Sequence, residues 1–129
     1  MPVFRLSLIS LLMSAGVTAC TDARTTTGSK QFECKVDEQC ILSGRLILHR
    51  GVPANAAVLE QGDNCLPLAL DASIFSNFNA WNRRYVRVEG GGYSPPDIEG
   101  LMWYEFRGRK MAKGVCDRPV TIFVDRIDK

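Results

Sequence analysis

An apolar run that ends at a cysteine divides this chain before any folded segment begins. Arg5 stands near the start, Leu6 to Val17 is apolar and broken only by small residues, and Thr18-Ala19-Cys20 closes the stretch. A charged start, an apolar centre and a small residue at the end are the layout of a secretory signal. The run is shorter than the roughly 18 to 20 apolar residues that a membrane-spanning helix needs, so removal is its expected fate. What folds is then the rest of a 129-residue chain, enough for one domain and not two.

Val17-Thr18-Ala19-Cys20 resembles the lipobox of bacterial lipoprotein precursors, in which an aliphatic residue, a tolerant position and a small residue precede a cysteine. The resemblance implies that the Cys20 thiol carries a diacylglycerol and that residues 1–19 are the signal peptide cut before it. It also implies acylation of the new amino terminus. One acyl chain binds a bilayer marginally, whereas two or three hold a protein there stably. In that family an Asp directly after the cysteine favours retention in the inner membrane, and Thr21 stands here. The implied location is the outer membrane, facing the periplasm. Residues 20–31, rich in Thr, Gly, Ser and Lys after the cysteine, read as a flexible tether, and 32–129 as the domain.

Setting Cys20 aside changes the cysteine arithmetic. Cys34, Cys40, Cys65 and Cys116 remain, an even set in a small exported domain, which points to two disulfides. Three pairings are possible, and spacing does not choose among them. Zinc is the rival use, but the close C-x2-C pairs of structural zinc modules are missing and the periplasm favours oxidation. Neither a metal nor a cofactor is expected. Loss of Arg5 with the leader turns sixteen basic residues into fifteen, against fourteen acidic ones. So small a net charge makes no case for nucleic acid; any electrostatic case must rest on local clustering.

The domain is patterned for strands. "CILSGRLILHR" (40–50) places Leu42, Leu46 and Leu48 on one face, with Gly44 where a bend can sit. "GVPAN" makes a turn, Ala56 to Gln61 a second strand, and "GDN" (62–64) a tight hairpin. "CLPLAL" (65–70) alternates Leu66, Leu68 and Leu70 inward. Asp71 then caps a predicted helix over 72–82, whose Ile74, Phe75, Phe78 and Trp81 share one face and belong to the core. "RYVRVEG" (84–90) is a fourth strand, expected to end at the glycines 90–92. "LMWYEFRGRKMAKGV" (101–115) reads as a hairpin turning at Gly108, and Val120 to Ile127 as the last strand.

This order resembles the OB-fold over residues 40–127: a mainly β, small five-stranded Greek-key barrel with one short helix between strands three and four. Another small mixed barrel, or a sandwich with one helix, is the rival architecture. The resemblance implies that the third and fifth strands run parallel and close the barrel, so that their starts lie at one end. That arrangement pairs Cys65 with Cys116 and leaves Cys34 for Cys40.

Catalysis finds little material. His49 is the single histidine, at a strand end where solvated residues are common, and no G-x-S-x-G, H-E-x-x-H or P-loop appears. A non-enzyme is expected, with no catalytic residues. Binding has a better candidate in "WYEFRGRKMAK", where Trp103, Tyr104 and Phe106 lie beside Arg107, Arg109 and Lys110. Aromatics stack on bases or sugars while cations meet anions. Strand alternation would put Trp103, Glu105 and Arg107 on one face and Tyr104 and Phe106 on the other, so at least one aromatic pair is packed. Strands two and three carry no aromatic platform, and Glu60 and Asp63 add negative charge there. The expected function is thus a non-catalytic envelope lipoprotein, an interaction or accessory module with a protein partner and a membrane anchor. An oligosaccharide- or oligonucleotide-binding OB module is one alternative, and a secretion-system accessory subunit or an inhibitor or immunity lipoprotein is another.

Overall fold

Alternating leucines and valines set the architecture of residues 32–129, which are the residues described by the computed structural model. The strands are β1 (Gln39–His49), β2 (Ala56–Gln61), β3 (Asn64–Ala69), β4 (Tyr85–Tyr93), β5 (Trp103–Phe106), β6 (Arg109–Ala112) and β7 (Thr121–Asp128). The expected signal peptide, Cys20 and the expected tether lie outside the described residues. Pairing runs β1-β2-β3-β7-β4 and returns from β4 to β1, so these five strands form one closed sheet. Only β3 and β7 run parallel, and they share just Leu68↔Ile122 and Ala69↔Phe123. Leu46, Leu59, Leu66, Leu68, Val86, Val88 and Ile122 are fully buried inside, one or two from each strand. β5 and β6 make a separate two-stranded sheet.

The closed sheet depends on close backbone approach. β1 pairs with β4 through residues 39–45 and with β2 through 45–49, changing partners just after Gly44. A Cβ at Gly44 would lie 2.5 Å from the Glu60 carbonyl oxygen, so glycine lets β2 come in against the bend. The glycines at 90–92 do not end β4, contrary to the sequence expectation. The strand runs on to Tyr93, pairing Gly90, Gly91 and Gly92 with Val124, Phe123 and Ile122 of β7. Locally glycine weakens a strand, but here it admits β7 to a distance that a side chain would block.

The predicted single helix is also corrected. Two short helices, α1 (Ala72–Ser76) and α2 (Phe78–Trp81), stand in its place. Asp71 caps α1 as expected, its Oδ1 accepting from the Ser73 N–H at 2.9 Å, and that bond holds its carboxyl below the usual range. At Asn77 the chain leaves helical geometry (φ −105°, ψ 43°), and its side-chain amide donates to the Ser73 carbonyl. A short polar side chain competing for backbone acceptors is the physical cause of the break. Ile74 and Phe75 are buried, and Phe78 and Trp81 pack partly against the same core.

Both disulfides join the cysteines that the OB resemblance paired. Cys34–Cys40 and Cys65–Cys116 have Cα separations of 6.0 and 6.1 Å. The first ties the segment before β1 to its start. The second ties the chain leaving the hairpin to the start of β3.

Candidate interaction surface

The β5–β6 hairpin is built by its turn. Arg107 (φ 49°) and Gly108 (φ 80°) are its two central residues, and positive φ at both is the type I′ pattern whose twist suits adjoining strands. Register then fixes two faces: Tyr104 opposes Met111 and Phe106 opposes Arg109, while Trp103 opposes Ala112 and Glu105 opposes Lys110.

The first of these faces is turned against the closed sheet. Tyr104 and Met111 are buried, and the Tyr104 hydroxyl lies 2.6 Å from that of Tyr93. Tyr93 stacks on Phe106 at 4.2 Å, and Phe106 meets Phe123 edge-on at 5.8 Å. Burial, followed by the bond to Tyr104, raises the pKa of Tyr93 well above that of an ordinary tyrosine. The hairpin also covers outward positions of β2 and β3. Ala56 and Val58 point away from the core by register, yet both are buried, and the Ala112 N–H donates to the Asn55 carbonyl at 2.9 Å.

Arg109 crosses the seam between β3 and β7. Its Nη1 donates to the carbonyls of Ala69 and Val124, both at 2.7 Å, and its guanidinium lies 3.8 Å from the centre of the Phe123 ring. Burial lowers its pKa, while Asp71 and Asp125 oppose that effect. The arginine continues the cross-linking that the two-residue parallel ladder begins. Replacing it by methionine strands two main-chain acceptors and is expected to cost about 2 kcal/mol. Lysine, which lacks the planar fork, is expected to restore less than half of that, as urea unfolding of the two variants will report.

The residues singled out in the sequence therefore part company. Tyr104 and Arg109 belong to the packing. Trp103 and Lys110 lie on the outward face, the ammonium 5.7 Å from the indole ring. Next to them the chain exposes Met102 and, further back, Ile98. Arg107 lies between these groups, over the Phe106 and Phe123 rings at 5.0 and 5.5 Å. It borders a cleft of about 230 Å³ that Asp37, Glu38, Gln39 and Asp125 also line. His49 is exposed at the end of β1. Among the described residues no group of three His, Cys, Asp or Glu is placed to hold a metal ion. Tyr93 and Phe123, central to this surface, carried no signal in the sequence beyond being aromatic.

No protein-family model matches this chain, and neither a curated protein nor a solved structure matches it.

Proposed function

We propose that this chain is a non-catalytic envelope lipoprotein, held to a membrane through lipid on Cys20, whose OB-like Greek-key barrel presents the β5–β6 hairpin to a protein partner in the periplasm. The observation that carries this reading is the division of the hairpin's two faces. One is spent on packing, and the other offers Trp103, Glu105 and Lys110 beside the exposed Met102. An aromatic flanked by charge and an unburied apolar side chain is the composition of interface anchors. The two disulfides support an oxidising compartment, which agrees with the lipobox resemblance. OB-like barrels take oligonucleotides and oligosaccharides on strands two and three, and here the hairpin occupies the outward side of β2 and β3. That favours a protein partner over a linear polymer.

Cys20→Ser is expected to release the protein from the membrane fraction; unchanged retention would overturn the anchor. A photo-crosslinking residue at position 103 is expected to give one discrete adduct in cells, lost when Lys110→Ala is added. If the purified protein instead binds single-stranded DNA or glycan fragments, and Trp103→Ala with Arg107→Ala abolishes this, the polymer reading replaces it.

A further inference from the structure

The outward face of β1 and β4 carries a second surface, unrelated to the hairpin. Leu42, Gly44 and Leu46 point inward from β1, and Val86 and Val88 from β4, so Ile41, Ser43 and Arg45 on one strand and Tyr85, Arg87 and Glu89 on the other face out. Register sets Arg45 directly beside Tyr85. Ile41 and Tyr85 are 57% and 67% exposed. Arg83 and Arg84 adjoin them where β4 starts, both exposed.

These arginines stand on a fixed frame. The Arg83 N–H donates to the Leu46 carbonyl at 2.7 Å, and the Arg84 carbonyl accepts from the Leu46 N–H at 2.8 Å. Arg83 also holds φ 66°, a left-handed conformation that glycine or asparagine adopts at lower cost. An arginine kept in that conformation suggests that its charge is used. Glu89 neutralises Arg87 at 3.0 Å, Glu60 stands opposite Arg45 in the β1–β2 register, and Asp128 pairs with Arg126. Among the described residues no carboxylate is within salt-bridge distance of Arg45, Arg83 or Arg84. The face is therefore cationic on balance, and its free cations are all arginines, whose planar forks match phosphate oxygens.

We propose that this face docks on an anionic bilayer surface, with Arg45, Arg83 and Arg84 meeting lipid phosphates and with Tyr85 and Ile41 entering the headgroup layer. Tyrosine sits well at that depth because its ring is apolar and its hydroxyl is wet. Arginines near an anionic surface add affinity one by one. The choice of a membrane rests on the anchor at Cys20 proposed above. The stretch from Cys20 to Phe32 extends at most about 40 Å, so a lipidated chain keeps the whole domain within reach of a bilayer, where weak attraction is enough.

The test uses residues 20–129 with Cys20→Ser, which carry neither the apolar leader nor an acylation site, so its outcome is separate from that of the anchor itself. Co-sedimentation is measured with vesicles of phosphatidylcholine alone and of three parts phosphatidylcholine to one part phosphatidylglycerol. Binding is expected to the mixed vesicles only, weakening as salt is added. Each of Arg45→Gln, Arg83→Gln and Arg84→Gln is expected to weaken it about fivefold, and the three together about a hundredfold. Because all three side chains are exposed, the thermal midpoint should hardly move, which separates lost binding from lost folding. Equal binding to both vesicle types, or full binding by the triple variant, overturns the proposal. So does displacement from the vesicles by an acidic peptide or a single-stranded oligonucleotide, which would assign the arginines to that class of partner.

Discussion

Removing the Cys65–Cys116 bridge by paired alanine substitution is expected to lower the stability of the domain by about 4 kcal/mol, and removing Cys34–Cys40 by about 2 kcal/mol. The difference follows from loop length. The first bridge closes a loop across 51 residues of sequence separation and the second across 6, so the first removes far more freedom from the unfolded chain. Burial would argue the opposite order, because Cys34 and Cys40 are both buried while Cys65 and Cys116 are only partly so. Urea unfolding of the two double variants thus decides between chain entropy and packing as the main contribution of these bridges. The longer bridge has local work as well. It fixes the chain after β6 to the start of β3, where the Arg118 guanidinium also reaches Asn64 at 3.4 Å. Amide exchange in its absence should rise first along β3 and β7, whose ladder is two residues long. Loss of both bridges would remove about 6 kcal/mol, at the lower end of the roughly 5 to 15 kcal/mol that holds an ordinary domain together, so the reduced chain is expected to be marginally stable.

Much of this architecture was legible in local pattern. Alternation at Leu46 and Leu48, at Leu66, Leu68 and Leu70, and at Val86 and Val88 named inward positions that are all buried. The turn residues Gly62 and Gly108 both hold positive φ, and the hairpin turns where the sequence placed it. What escaped reading depends on distant partners. Asn77 looked compatible with a continuous helix until its amide found the Ser73 carbonyl. Arg109 looked like a surface cation among other cations, but its acceptors stand 40 and 15 residues away in sequence. Tyr104 and Phe106 share one face of the hairpin and Trp103 the other, and only the positions of Tyr93 and Phe123 decide that the first face is the one turned inward. In the site, then, alternation separated the two faces of the hairpin, but which face would pack against the closed sheet was not legible.

The glycines at 90–92 show the same limit most sharply, and they yield the second large effect. Gly90→Ala is expected to cost at least 3 kcal/mol, on the order of the worst overpacking substitutions. A Cβ at that position would lie 2.0 Å from the Phe123 carbonyl oxygen and 2.9 Å from the Val124 Cα. These are main-chain atoms of β7, so no side chain can rotate away, and the two strands must separate at the irregularity between Glu89 and Gly90. Gly92→Ala meets the Lys35 carbonyl oxygen at 2.2 Å and should be damaging for the same reason, by displacing the loop that the Cys34–Cys40 bridge closes. Gly91 differs. The nearest atom to its Cβ is Gln39 Oε1 at 3.5 Å, an ordinary contact with the end of a flexible side chain. Gly91→Ala is therefore expected to be neutral, or to stabilise by about 0.5 kcal/mol because alanine restricts the unfolded chain more than glycine does. For a domain of this size, thermal unfolding should place the midpoint of Gly90→Ala more than about 12 °C below that of Gly91→Ala. Equal midpoints would mean that β7 does not approach β4 as closely as the pairing of Gly90 with Val124 requires. A pattern that reads locally as the end of a strand would then be one after all.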